Sequence, residues 1–96
     1  MNWYSHIKGF TSYLKLERSL SENSIEAYLH DIEKFIQFLS LKKYTLAPQE
    51  IQLTPLQEFV KWNNELGMKA TSQARIISGL RGFYKYLILE NILHAN

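Results

Sequence analysis

Residues 20–39 read LSENSIEAYLHDIEKFIQFL, and their apolar positions decide the fold class. Ile25, Tyr28, Leu29, Ile32, Phe35, Ile36 and Leu39 recur at three- and four-residue steps, which draws one apolar stripe along an α-helix. Ser21 offers a side-chain oxygen to the first free backbone N–H groups, and Glu22 sets an anion in the first turn, where the helix dipole favours it. Lys42 and Lys43 close the segment at the end where cations are favoured.

Working outward, Trp3, Ile7, Phe10 and Leu14 repeat the spacing and predict a first helix over residues 2–18. After the central helix comes a looser connection, YTLAPQEIQL, through which Pro48 discourages a long helix. Thr54, Pro55 and Gln57 then predict a third helix, with Thr54 as N-cap, Pro55 at the first helical position and Gln57 completing a capping box. Leu56, Phe59, Val60 and Leu66 line that helix, and Gly67 stops it. A fourth helix begins near Thr71 or Ser72 and continues to about Glu90. Alternating strand patterns, hairpin dipeptides, internal repeats and low-complexity segments are all missing from the sequence. The reading is an all-α, compact bundle of four main helices, forming one domain across residues 1–96.

Bulk composition fits that reading. The chain is 46% hydrophobic and 21% charged, with a formal net charge of +2, as ordinary globular domains are. Cysteine is absent, which removes disulfides and thiolate metal sites. The start, MNWYSHIKGF, lacks the basic and apolar regions of a signal peptide, and no apolar run reaches membrane-spanning length. The expectation is a soluble cytoplasmic chain with no membrane partner.

Charge is distributed less evenly than its total suggests. None of the nine acidic residues falls between Leu66 and Leu89, yet Lys69, Arg75, Arg81 and Lys85 do. On a helical projection Ile76, Ile77, Leu80, Phe83, Tyr84, Leu87 and Ile88 share one side of the fourth helix. Thr71, Ala74, Ser78, Arg81 and Lys85 share the other, with Arg75 and Gly82 at its edge. Solvated faces ordinarily mix signs, because Glu and Lys four residues apart support a helix. An acid-free strip, with small residues that let a bulky polyanion approach, points instead to an anionic partner. Lys69, Thr71 and Ser72 add a cation and two hydroxyls beside the free N–H groups of a helix start, a physical recipe for holding phosphate. Gly79 and Gly82 each cost about 1 kcal/mol relative to alanine inside a helix. Close packing on a neighbouring helix accounts best for Gly79, and Gly82 fits either packing or the basic strip.

The blocks LSENSIEAYLHDIEKFIQFL and KATSQARIISGLRGFYKYL together resemble the N-terminal core-binding (SAM-like) domain of Xer-type tyrosine recombinases and phage integrases. The resemblance implies a helical half-clamp on double-stranded DNA, with the second and fourth helices towards the major groove. It assigns DNA-facing positions to Asn23 and Ser24 on the second helix and to Lys69, Thr71, Ser72, Arg75, Ser78, Arg81 and Lys85 on the fourth. It also implies other recombinase protomers as partners in a DNA-bound tetramer, and a C-terminal catalytic domain that residues 1–96 do not contain. Glu22 and Glu26 flank the proposed contact on the second helix, where they would repel phosphate.

No catalytic constellation is visible in the chain itself. Tyrosine-mediated strand cleavage needs several cations and a proton donor around one phosphate. The three arginines are Arg18, Arg75 and Arg81, and His6, His30 and His94 match no motif. Tyr28 and Tyr84 sit on apolar stripes and read as core, whereas Tyr13, Tyr44 and Tyr86 read as surface or rim. Glu26 and His30 lie four residues apart but lack a third metal ligand. We therefore expect no enzyme activity, cofactor, metal or small-molecule substrate for this chain. The competing expectation is a protein-interaction module that docks through the aromatic first helix, with Trp3, Tyr4, Phe10 and Tyr13.

Overall fold

The computed structural model describes residues 3–94, which form four α-helices and one 3₁₀ turn and contain no strand. Helix α1 is Trp3–Leu16, α2 is Glu22–Leu41, α3 is Leu53–Glu65 and α4 is Ala70–Leu89, with the 3₁₀ turn at Pro48–Glu50. The all-α expectation holds, and the four helices are those that the apolar spacing marks out.

Helix starts follow side-chain chemistry unevenly. Ser21 caps α2 as expected, its hydroxyl accepting from the Ser24 backbone N–H at 3.2 Å. Helix α3 starts earlier than its sequence signal, at Leu53, with Gln52 as a cap that makes no side-chain bond. Thr54 and Pro55 are thus the second and third helical residues. The first turn has unpaired N–H groups anyway, so proline is tolerated there.

The helix ends share a device that the sequence barely signals. Each helix is followed by a residue in the left-handed region: Ser19 (φ 52°), Lys43 (φ 61°), Gly67 (φ 85°) and Asn91 (φ 59°). After α2, α3 and α4 the next N–H reaches back to the helix, from Tyr44 to Leu39, Met68 to Asn63 and Ile92 to Leu87. This closes the orphan carbonyls of the last turn. Gly67 is the one residue of the four that accepts this conformation without a steric penalty.

The core is aromatic. Trp3, Phe10, Phe35, Phe38, Phe59 and Phe83 are all fully buried. Helix α4 packs chiefly on α2, and α1 covers both. Trp3 stacks on Phe83 with ring centres 6.0 Å apart, Phe10 meets Phe83 edge-on at 5.4 Å, and Phe35 meets Phe59 at 5.0 Å. The connection between α2 and α3, expected to be loose, is held by two side chains from the outer helices. The Trp3 indole N–H donates to the Leu46 carbonyl at 2.8 Å, and the Tyr84 hydroxyl donates to the Pro48 carbonyl at 2.6 Å. Burial pushes the Tyr84 hydroxyl well above the usual tyrosine range, so it stays a donor.

Several surface expectations are corrected. Tyr86, read as surface or rim, is buried, because Gly9 of α1 leaves the space its hydroxyl enters. Leu66 and Ile88, read as lining the core, are exposed. Trp3 and Phe10 face inward, so of the aromatic first helix only Tyr4 remains open and Tyr13 stands half-buried. Asn63 is an unexpected buried polar residue; its amide donates to Gln73 at 3.0 Å, and Gln73 donates to the Val60 carbonyl at 3.0 Å, tying α3 to α4.

Candidate nucleic-acid interface

Helix α4 turns Ile76, Leu80, Phe83 and Leu87 into the core, and this fixes what its other side presents. Thr71, Ala74, Arg75, Ser78, Arg81 and Lys85 are exposed along that side, and Ser72 is half-buried. Lys69 is the N-cap residue but makes no side-chain bond to the helix. Among the described residues, no carboxylate forms an ion pair with Lys69, Arg81 or Lys85.

Arg75 departs from the expected unopposed strip. Its Nη1 donates to Oδ1 of Asp31 at 2.9 Å, across from α4 to α2, with the Arg75 side chain 55% and the Asp31 side chain 4% exposed. This is the one ion pair among the described residues. Asp31 can lie there because residue 79 has no side chain. A Cβ at Gly79 would stand 2.6 Å from Asp31 Oδ2 and 2.9 Å from Asp31 Cβ. The packing account of Gly79 therefore holds, and the group it packs against is a carboxylate. At Gly82 a Cβ would lie 3.2 Å from the Tyr28 ring, so that glycine too faces α2.

Two clefts gather the predicted residues. One, of about 240 Å³ between α2 and α4, is lined by Ser24, Ala27, Tyr28, Asp31, Arg75, Ser78 and Gly79. It brings Ser24 of α2 to the same opening as Arg75 and Ser78 of α4. The other, of about 470 Å³, joins Lys85 and Gly82 to Tyr13, Arg18, Ile88 and Leu89. Asn23, Lys69, Thr71, Ser72 and Arg81 line neither cleft. Asn23 and Ser24 are exposed at the start of α2, with Glu22 and Glu26 beside them. Asp31 and Arg18 are the two charged residues at these clefts that sequence reasoning did not select. Glu26 and His30 share a surface depression with Glu33, and no group of three metal-ligating side chains occurs among the described residues.

Burial holds the Asp31 carboxyl above its ordinary 3.8, against the lowering pull of Arg75 and the weaker pulls of His30 and Lys34. The folded chain thus binds this proton more tightly than the unfolded chain does. Its contribution to stability is present below the ordinary carboxylate value and is lost as pH rises through the folded value. We expect Asp31→Asn to gain stability relative to wild type at neutral pH, with the gain shrinking as the solution is acidified. Denaturant unfolding of both proteins across that range checks it, and a gain that grows in acid contradicts it.

The exposed side of α4 is cationic and acid-poor in a small all-α domain. The model of the phage integrase N-terminal SAM-like domain matches residues 7–91, and the chain belongs to this family. It is similar to the tyrosine recombinase XerD of Chlorobaculum tepidum, at 32% identity over 98% of this chain and 30% of the relative. It is also similar to the tyrosine recombinase XerD of Pseudomonas aeruginosa, at 36% identity over 91% of this chain and 28% of the relative. The tyrosine recombinase XerC of Anoxybacillus flavithermus shares 32% identity over 91% of this chain and 29% of its own length. The chain thus spans under a third of the curated relatives it matches. No solved structure matches it significantly. No helix among the described residues is long and apolar enough to cross a membrane.

Proposed function

We propose that this chain is the DNA-gripping half-clamp of a tyrosine recombinase, holding duplex DNA between the start of α2 and the exposed side of α4. The observation that carries the reading is that Arg81 and Lys85, exposed on the outward side of α4, and Lys69, the exposed residue just before it, have no ion-pair partners among the described residues. Such cations act on phosphates, giving affinity and register without sequence choice. Thr71, Ser72 and Ser78 on α4, Ser24 across the first cleft and Asn23 next to it in sequence supply short polar groups suited to the same backbone. Arg75 sits at the cleft rim with part of its donor fork free, which suits a guanine edge in the major groove. Strand cleavage belongs to a catalytic domain in the full-length parent, and neighbouring protomers on DNA are the protein partners.

Fluorescence anisotropy with a labelled duplex at two or more salt concentrations tests this reading. Three to four phosphate contacts should give a log K against log salt slope of about −3. The Arg81→Ala/Lys85→Ala double variant should bring the slope towards about −1, since each contact contributes about 0.9. Lys85→Ala should weaken all duplexes alike, and Arg75→Ala should flatten sequence preference. Binding indifferent to salt, or unchanged in the double variant, rejects the proposal.

A further inference from the structure

The Asp31–Arg75 pair is built in a way that stability alone does not explain. A buried carboxylate facing a guanidinium gains little over well-packed apolar groups, and here one partner is buried while the other stands more than half exposed. Helix α4 also keeps glycine at residue 79, where any side chain would strike the Asp31 carboxylate. The arrangement instead fixes a direction. Arg75 uses Nη1 on Asp31, and it lines the same α2–α4 cleft as Ser24 and Ser78. An arginine side chain has several rotatable bonds, and a free one loses that freedom on binding. An arginine already tethered through one nitrogen loses less, and presents its planar fork in one orientation.

We infer that Asp31 is a positioning residue for base readout: it holds the Arg75 guanidinium in the orientation that discriminates a guanine edge and keeps it from the phosphates. This rests on the DNA-gripping reading above. Removing the Asp31 charge acts in two opposite directions. Arg75 becomes a free cation, so binding to arbitrary duplexes tightens and the salt slope steepens by about 0.9. Preference among sequences falls at the same time, because the guanidinium no longer has one direction. A carboxylate that only repelled phosphate would, when removed, raise affinity for every duplex and leave the preference among sequences unchanged.

The test is selection from a randomised 20-base-pair duplex pool by wild type, Asp31→Asn, Arg75→Ala and the double variant, with salt titrations on one arbitrary duplex. Asp31→Asn should reduce the wild-type enrichment about tenfold, as a lost bidentate base contact does, while binding the arbitrary duplex several-fold more tightly. The double variant should match Arg75→Ala. Enrichment retained in Asp31→Asn overturns the inference and leaves the DNA-gripping reading intact. A wild type that binds no duplex, or enriches no sequence, overturns the base-reading role and this inference with it. Nitrogen-detected NMR of the wild type needs no variant to fold. The Arg75 Nη signals should be resolved in the free protein, and signals averaged like those of a free arginine overturn the tether.

Discussion

Phe83→Ala is expected to remove about 3–5 kcal/mol of folding stability, the range for truncating a fully buried phenylalanine. The ring is wholly inaccessible and touches Trp3 of α1, Phe10 of α1 and Tyr84 of its own helix. These neighbours are themselves large and flat, so they cannot collapse far into the space it leaves. A 96-residue domain has on the order of 5–14 kcal/mol in total, at typical stabilities per residue. The variant should therefore lose at least about a fifth of its stability, with a clear drop in the denaturant midpoint and an unchanged slope. A loss below about 1 kcal/mol would mean that the aromatic cluster repacks freely, contrary to close-packed interiors.

Gly79→Ala is expected to destabilise although alanine is the better helix former. Propensity favours the change by about 1 kcal/mol. Against it, the new methyl group would stand 2.9 Å from Asp31 Cβ, an atom anchored to the α2 backbone that cannot swing aside. Overpacking of this kind costs about 1–3 kcal/mol, so the clash wins. Gly82→Ala is the control: its nearest neighbour is the edge of the half-buried Tyr28 ring at 3.2 Å, which can give by a few tenths of an ångström. Thermal unfolding of both variants should therefore show a lowered midpoint at Gly79 and little change at Gly82. Equal midpoints would remove the close α2–α4 approach from the account.

The contrast between these two glycines shows where sequence reading stops. The helices were legible because each must bury a stripe, and residues such as Ile25, Ile32, Phe35 and Leu39 carry the period of that stripe openly. Packing at Gly79 was legible from its cost in a helix. That its neighbour is Asp31 was not, since a carboxylate reads as surface until another helix covers it. The exposed side of α4 was legible for a similar reason: an absence of acid can be seen within one segment. The partner of Arg75 lies 44 residues earlier, beyond any local pattern. Tyr86 reads as surface because its shelter, Gly9, stands on a different helix. Helix ends at Ser19, Lys43 and Asn91 escaped because none is the glycine that usually announces a left-handed turn.

The stacking of Trp3 on Phe83 also bears on how the domain is made. The chain's first helix completes its core only against its last, so no N-terminal piece that stops short of α4 has a finished interior. A nascent chain arrested after α3 would hold Trp3 and Phe10 without their α4 partners, and the α2–α3 connection would lack its Tyr84 hydrogen bond. Local helix formation can begin early, but contacts of such long sequence separation close late. On the ribosome this domain should remain protease-sensitive until α4 has emerged from the exit tunnel, and become resistant in a single step thereafter.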